Sequence, residues 1–280
     1  MIYLIAGLIS SAIVSLVLKI CSKWEYDRYG MFAINYLSCL IPFIFSQIGK
    51  ELPALDDDFA FCSIFALLNG ILYLAGLLMT QINVKRNGAI LQSTFARLGV
   101  MVPTVISIVF FGERPSILET IGIMMVLVSF CIMNIGKNNN NEKPVFSLLI
   151  LGMLFGGIAD SALKVFDQFG DPALEDWFMG LTFLSASLIC LAITITKKGK
   201  IGKREIITGV CLGVPNYLSS LLLLKSLSSV SAYIAYPTYS VGAILVVTIV
   251  STIFFREKLS KWGKVSFALI ISAILLLNIG

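Results

Sequence analysis

The sequence predicts an all-α polytopic membrane protein whose ten transmembrane helices form two inverted five-helix repeats. Three observations lead to this prediction. Of the 280 residues, 58% are hydrophobic and 13% are charged, whereas a soluble domain carries about 25% charged residues. The apolar residues fall into ten runs, and features of the first half recur 144 residues later. The chain therefore lacks the polar surface that a soluble protein needs.

The apolar runs set the number and order of the spans. A spanning helix needs about 20 predominantly apolar residues. The runs cover residues 2–20, 31–49, 59–81, 88–111, 117–135, 145–166, 174–195, 205–224, 229–254 and 262–279. The first run has no basic leader and no small-residue cleavage site, so we interpret it as an uncleaved span. The loops are too short to hold a soluble domain.

Local signals mark individual helices. Ser116, followed three residues later by Glu119, predicts a capping box that opens the fifth span. Asp171 and Pro172 are typical of an N-cap and a first helical residue, and they precede the seventh span. The sixth span contains the stretch Gly152–Gly157, whose small residues predict close helix packing.

The repeat is clearest in the turn after the fourth span of each half. Phe111–Ser116 is matched by Phe255–Ser260, and each copy holds a glutamate followed by a basic residue. We predict a first repeat over residues 1–136, a polar linker over 137–144 and a second repeat over 145–280. Because each repeat has an odd number of spans, the second is inverted relative to the first, an arrangement found in many transporters.

Basic residues predict the orientation in the membrane. Loops after odd-numbered spans hold 16 lysines and arginines, and loops after even-numbered spans hold three. Loops rich in Lys and Arg stay in the cytoplasm. We therefore expect the odd-numbered loops inside and both termini outside the cytoplasmic membrane.

The composition excludes several kinds of chemistry. The chain has no histidine, which excludes Ser-His-Asp catalysis and His-ligated metals. The six cysteines show no CxxC spacing, and we interpret them as small packed residues. No phosphate-binding GxxxxGK[ST] loop is present. We expect no catalytic residues, no metal and no cofactor, and the short basic clusters give no sign of a nucleic-acid surface.

Ten spans in two halves, each with a Glu-containing turn after its fourth span, resemble the drug/metabolite transporter superfamily, EamA type. The resemblance covers the whole chain. It implies that the first, third and fourth spans of each half line a central cavity. Members of the family move amino acids, sugars, nucleotide precursors or drugs, so the resemblance implies transport without naming the cargo.

Two ionisable residues lie inside predicted spans that the resemblance makes cavity-lining. Arg97 is near the middle of the fourth span, and Asp160 in the sixth span precedes Lys164 by one turn. Such residues are functional candidates by default. Arg97 could hold a carboxylate or phosphate, and Asp160 could carry a coupling proton. Alternatively, Asp160 pairs permanently with Arg97 or Lys164 and fixes helix register.

The ninth span offers a tyrosine face. Tyr233 and Tyr236 share one side of the helix, and Tyr239 continues it. Pro237 should interrupt the backbone there, as at the binding sites of many transporters. Tyr236 and Tyr239 are therefore predicted to contact substrate, and the alternative is a packed aromatic stripe.

Further polar candidates lie in spans three, four and eight. They could donate and accept hydrogen bonds to a polar substrate, or they could join helices. They are Asn69, Tyr73, Gln92, Asn216 and Tyr217.

These patterns predict a secondary active transporter for a small polar metabolite, such as an amino acid or similar carboxylate-bearing solute. Alternating access would act on a site between the two repeats. The expected partners are the substrate, a proton or another coupling ion, and the lipid bilayer. An exporter of cationic or aromatic drugs or quaternary amines is the main alternative, and a membrane-embedded transferase is a remote one.

Overall fold

A computed structural model of the chain describes residues 1–21, 24, 27–133, 144–254, 256 and 261–279, and gives only the backbone for 88–91, 93 and 133. All regular structure in these ranges is helical. The helices are α1 Ile2–Cys21, α2 Arg28–Gln47, α3 Asp57–Leu98, α4 Met101–Phe110, α5 Ile117–Met133, α6 Phe146–Phe169, α7 Glu175–Thr196, α8 Lys203–Leu227, α9 Ala232–Phe254 and α10 Lys261–Ile279, with a short 3₁₀ helix at Pro172–Leu174. The predicted linker 137–144 and second glutamate turn 255–260 lie almost wholly outside the described residues.

Eight of the described helical segments are long and apolar enough to cross a membrane. Segments Thr94–Phe110 and Ile117–Ile132 are apolar but shorter. Large hydrophobic side chains such as Ile2, Ile5 and Ile9 are exposed, which is expected of surfaces that face lipid tails. The all-helical membrane architecture is confirmed, and the arrangement as ten spans in two inverted repeats stays a prediction.

Helix α3 reverses direction within its assigned length. Residues 80 and 92 of a straight helix would be about 18 Å apart, yet the Gln92 Nε2 amide donates to the Thr80 hydroxyl at 3.1 Å. Asn83 contacts the carbonyl of Leu148 at the start of α6. A Cβ on Gly152, one turn further along α6, would meet both Asn83 and Gln92. The chain therefore runs down one side of α6 and returns along it.

The predicted fourth span, 88–111, is not one uninterrupted helix. Helix α3 ends at Leu98 and α4 begins at Met101. At the junction the amide of Val100 donates to Arg97, and that of Val102 donates to Gly99. These bonds reach three residues back instead of four, which is the tighter 3₁₀ pattern often found at hinges. A Cβ on Gly99 would lie 3.2 Å from the Met153 carbonyl of α6, so the break occurs where two backbones approach closely.

The described chain divides into two compact units. The first contains residues 1–74 and 165–226, and the second contains residues 75–164 and 227–280. Each unit therefore combines segments of both predicted sequence repeats.

In the first unit, α2 lies beside α7 and α8. The Ser187 hydroxyl donates to the Ala33 carbonyl, and the thiol of Cys39 donates to the Gly213 carbonyl. A Cβ on Gly213 would lie 2.3 Å from that of Ser38. Small residues thus allow these helices to pack at short range.

In the second unit, α5 and α10 pack antiparallel and share a core with α9. The hydroxyl of Ser266 donates to the Ser129 carbonyl, and a Cβ on Gly122 would meet Leu277. The shared core consists of buried apolar residues, namely Val126, Phe130, Val241, Ile244, Ile270, Ala273 and Leu277.

The predicted helix starts are present. The Ser116 amide donates to the Glu119 carboxylate, and the Glu119 amide donates to the Ser116 hydroxyl at 3.2 Å. Asp171 accepts from the Ala173 amide before α7. Helix α9 runs through Pro237 without a break, so the expected interruption was wrong. Proline has no N–H, so only one helical hydrogen bond is lost, and the helix on both sides of Pro237 is held by buried neighbours.

The interpretation of the cysteines as packed core residues holds for four of six. Cys21, Cys39, Cys62 and Cys190 are buried, whereas Cys131 and Cys211 are exposed. Their helices are apolar all round, so sequence alone did not distinguish a lipid-facing thiol from a buried one.

Candidate functional site

Helix α6 aligns the polar residues of the second unit. Side chains from α3, α4 and α9 meet α6 at successive turns, beginning with Asn83 near Leu148 and continuing to Tyr236 at Asp160. The glycines of α6 permit this, because a Cβ on Gly157 would lie 2.5 Å from Val102. The close packing predicted for Gly152–Gly157 is therefore present.

Asp160 and Tyr236 are brought together. The Tyr236 hydroxyl donates to the backbone carbonyl of Asp160 at 2.8 Å. Tyr236 is buried, and Asp160 is half-buried. Within the described ranges, no side chain bonds or pairs with the Asp160 carboxylate, so this acidic group remains available. Tyr239 lies almost one turn beyond Tyr236 and is half-buried.

Arg97 occupies the last turn of α3, two residues before the break at Gly99 and Val100. It is half-buried, and the described part of the chain supplies no acidic partner to its guanidinium group. The proposed pair with Asp160 is therefore not formed. A cation without a counter-ion in an apolar helix is suited to an anionic ligand.

Of the two polar groups in the Gln92 side chain, one forms a hydrogen bond and the other does not. Its Nε2 amide donates to Thr80, while its buried Oε1 oxygen has no hydrogen-bond donor. A buried carbonyl oxygen without a donor costs free energy unless a ligand or water supplies one. Gln92 is therefore both a helix-joining residue and a free acceptor.

Asn83 and Asn87 were not singled out by the sequence. The Asn87 side chain accepts from the Val145 amide at 2.6 Å and donates to Asn83 at 2.8 Å. Both asparagines are buried and hold the chain just before α6. Their signal in the sequence is a pair of amides four residues apart, which place side chains on one helix face.

Lys164 forms an ion pair with Glu113, whereas the sequence had suggested Asp160 as its partner. Its Nζ lies 3.2 Å from Glu113 Oε1 and 5.8 Å from the Phe111 ring centroid. The alternative in which Asp160 pairs with Lys164 is wrong for this structure, because the lysine turns away to the loop between α4 and α5. The sequence offered no means of predicting this long-range pair.

The first unit holds the other candidates in an aromatic cluster, defined as Tyr36, Tyr73, Phe183 and Tyr217. Tyr36 stacks on Phe183 with ring centroids 5.9 Å apart and meets the edge of Tyr73 at 6.5 Å. Phe183 also contacts Tyr217 at 6.0 Å. Tyr36 and Phe183 were missed, because a lone aromatic residue in an apolar helix carries no distinguishing signal.

The first unit also contains two of the predicted asparagines, Asn69 and Asn216. Both polar atoms of Asn69 are buried and have no hydrogen-bond partner. The Asn216 amide lies 3.9 Å from the Cys39 sulfur, which is a weak contact. Asn69 is therefore the more available of the two for a polar ligand.

A cavity of about 410 Å³ in the first unit lies away from all these residues. Charged side chains and one aromatic ring line it, among them Lys50, Asp56, Asp171 and Trp177. Asp56 and Asp171 already accept backbone amides at helix starts, so their role there is structural.

Comparison with known proteins decides the family. Residues 1–135 and 143–279 match the model of the EamA-like transporter family. The chain belongs to the EamA-like transporter family. An uncharacterized protein of Haemophilus influenzae is 25% identical over 280 residues, covering 95% of this chain and 94% of the relative. A solved crystal structure superposes with a TM-score of 0.80 at 12% identity, over 99% of this chain and 98% of that one, and so shares the fold.

This EamA-like protein is thus a multi-pass membrane protein of transporter type. Family membership implies a small-molecule substrate and a lipid bilayer as its surroundings. The family's name describes transport, not a chemical conversion.

Proposed function

We propose that this EamA-like protein is a secondary active transporter that moves a small polar metabolite, such as an amino acid or similar carboxylate-bearing solute, across the cytoplasmic membrane by alternating access. The observation that supports this most strongly is that two charged residues, Arg97 and Asp160, lie inside the helices without forming an ion pair in the described part of the chain. Both lie in apolar helices of one unit, and neither has an ion-pair partner among the described residues. Charges in a membrane interior are costly and usually serve a ligand, an ion or a proton.

Arg97 is the proposed site for the carboxylate. Its planar guanidinium group can bind both carboxylate oxygens and stays charged throughout the cycle. The adjacent interruption of the helix at Gly99 and Val100 supports this, because discontinuous helices supply ligand-binding groups in many transporters.

Gln92 is the proposed acceptor for the ammonium group of an amino acid, through its unsatisfied Oε1 oxygen. Asp160 is the proposed carrier of the coupling proton. Gln92 meets α6 at Gly152, eight residues before Asp160, a separation of about 12 Å along the helix. A single ammonium group would therefore use one acceptor and leave the other free.

The remaining substrate contacts are proposed to come from aromatic and amide side chains. Tyrosines can stack on a flat group and also donate a hydrogen bond. The residues are Asn69, Tyr73, Asn216, Tyr217, Tyr236 and Tyr239.

The test uses the purified full chain in proteoliposomes with radiolabelled amino acids. We expect Arg97→Ala to lower transport at least about 100-fold, as loss of a charged hydrogen-bonded contact of about 3 kcal/mol implies. Arg97→Lys should retain part of the activity, and the exposed Arg114→Ala should match the wild type. If folded Arg97→Ala protein transports as well as the wild type, the proposal is wrong.

Export of cationic or aromatic compounds is the second candidate, supported by Asp160, whose carboxylate has no ion-pair partner among the described residues and whose backbone carbonyl accepts from the Tyr236 hydroxyl. A carboxylate and aromatic faces together bind cations well. Under this alternative, Asp160→Asn would abolish efflux of quaternary amines while Arg97→Ala would leave it intact. Recovery of a chemically altered solute after passage would instead favour a membrane-embedded transferase.

The proposed orientation places both termini outside the cytoplasmic membrane, because 16 basic residues lie in the odd-numbered loops and loops rich in Lys and Arg stay in the cytoplasm. A C-terminal alkaline phosphatase fusion should then be active and a C-terminal green fluorescent protein fusion dark. The reverse pattern would overturn the orientation.

A further inference from the structure

The Glu113 carboxylate accepts hydrogen bonds from the first residues of α9, a helix that begins 119 residues later in the chain. One carboxylate oxygen, Oε1, accepts from the amide of Ala232 at 3.2 Å. The other, Oε2, accepts from the amide of Tyr233 at 3.3 Å. These are the first two residues of α9, whose amides have no acceptor within the helix. Glu113 therefore does for α9 what an N-cap side chain ordinarily does, but from a distant loop.

The same carboxylate is attached to α6. Lys164 Nζ lies 3.2 Å from Glu113 Oε1, and the two side chains are only 8% and 15% exposed. Removing either partner would leave the other charge poorly solvated. The carboxylate is thus a junction that fastens the start of α9 to one turn of α6. We call this set of contacts the α9 clamp, consisting of Glu113, Lys164, Ala232 and Tyr233.

A second contact between α6 and α9 lies one turn deeper. The Tyr236 hydroxyl reaches the carbonyl of Asp160 at 2.8 Å, and Asp160 precedes Lys164 by four residues on α6. The Tyr233 hydroxyl also donates to Glu119 at 3.3 Å. The position of the first turn of α9 therefore fixes where Tyr236 stands relative to the free Asp160 carboxylate.

We propose that Glu113 is a positioning residue for transport: through the α9 clamp it sets the distance between the Tyr236 ring and Asp160. The inference rests on the proposed function in that it treats these two residues as part of the transport site. Glu113 itself touches neither substrate nor proton. Its effect passes through the backbone of α9.

Hydrogen exchange of the detergent-solubilised full chain tests the clamp without any substrate. In Glu113→Ala, exchange of the amides of Ala232 and Tyr233 should accelerate about tenfold, as expected for a lost cap. Exchange at the start of α7, in the first unit, should not change. The neighbouring exposed Arg114→Ala is the matched control. Unchanged exchange at the start of α9 in Glu113→Ala would overturn the inference.

Charge reversal separates the ion pair from the cap. Combining Glu113→Lys with Lys164→Glu restores an ion pair but places a cation, which cannot accept, beside the α9 amides. In this double variant we expect the amides of Ala232 and Tyr233 to exchange about as fast as they do in Glu113→Ala. Slow, wild-type exchange would show that the ion pair alone holds α9 and would contradict the cap.

Transport kinetics separate positioning from a purely structural role. With radiolabelled amino acids in proteoliposomes, Glu113→Ala should raise the half-saturation concentration about tenfold, and Glu113→Asp should restore part of it. A loss confined to the maximal rate would contradict positioning. If no amino acid is transported by the wild type, the proposed function fails, while the exchange experiments still decide the clamp.

Discussion

Arg256 has a left-handed backbone conformation, and the equivalent position in the first repeat is occupied by a glycine, Gly112. Gly112 has a φ of 68° and Arg256 a φ of 54°, and the two residues are 144 positions apart. Both lie just past the end of a helix, where a left-handed residue closes the last turn. The left-handed conformation costs a residue with a Cβ roughly 1–2 kcal/mol, whereas glycine adopts it freely.

Arg256→Gly should therefore stabilise the protein by about 1 kcal/mol, because the backbone strain is relieved. Gly112→Ala should destabilise it by a similar amount for the opposite reason. The thermal unfolding midpoint in detergent measures both effects. A drop in the midpoint of Arg256→Gly, with Gly112→Ala unchanged, would show that the left-handed turn carries no strain.

The described charged residues of the second unit divide into those with a partner and those without one. Lys164 and Glu113 satisfy each other, and Glu119 is occupied by its capping box and Tyr233. Arg97 and Asp160 have no such partner among the described residues. Free charge in an apolar helix needs a compensating group, and in a transporter that group can be the cargo or a proton.

At the scale of single helices, α6 acts as the scaffold of the second unit. Its two adjacent glycines have different surroundings. A Cβ on Gly157 would lie 2.5 Å from Val102 and 2.6 Å from the Gly99 carbonyl, whereas a Cβ on Gly156 would meet nothing within 4 Å. The α3–α4 break beside Arg97 therefore packs against Gly157, not Gly156.

Gly157→Ala should cost about 1–3 kcal/mol of stability, because backbone and a branched side chain must move to admit the methyl group. Gly156→Ala, one residue earlier, should be neutral or stabilising by up to about 1 kcal/mol, since alanine is the better helix former. Thermal unfolding of the two variants side by side checks the contrast. Equal midpoints would show that α6 and the α3–α4 junction are not in close contact.

The two compact units do not coincide with the predicted sequence repeats. The first unit takes residues 1–74 from one repeat and 165–226 from the other, and the second unit is mixed in the same way. Neither repeat contains all the helices of a unit. Burial of each repeat's packing surfaces therefore depends on the other.

Splitting the chain within 137–144 should give two fragments that are unstable when expressed separately and stable when co-expressed. Each fragment alone would leave the small-residue faces of its helices without their partners. Size-exclusion chromatography in detergent, with a fluorescent tag on either fragment, measures recovery. A monodisperse, ligand-responsive single fragment would contradict this dependence.

The membrane architecture follows from the sequence alone, because the frequency and length of apolar runs report directly on burial in lipid. It also predicted features that depend on neighbours along the chain, such as the Ser116 capping box, the Asp171 cap and the glycine face of α6. The doubled glutamate turn indicated the EamA-like family. The residues Arg97, Asp160, Gln92 and Tyr236 stood out because polar groups are rare in such helices, and their roles as site residues remain a proposal.

Which of these groups are paired becomes visible only in the folded protein. The Glu113 carboxylate binds Lys164 and the start of α9, the α3 chain folds back along α6, and the fourth run breaks at Gly99. Tyr36 joins an aromatic cluster, and α9 passes through Pro237 unbroken. Helix periodicity specifies which side chains share a face, whereas the partner across that face comes from a segment tens of residues away and depends on how closely the backbones approach.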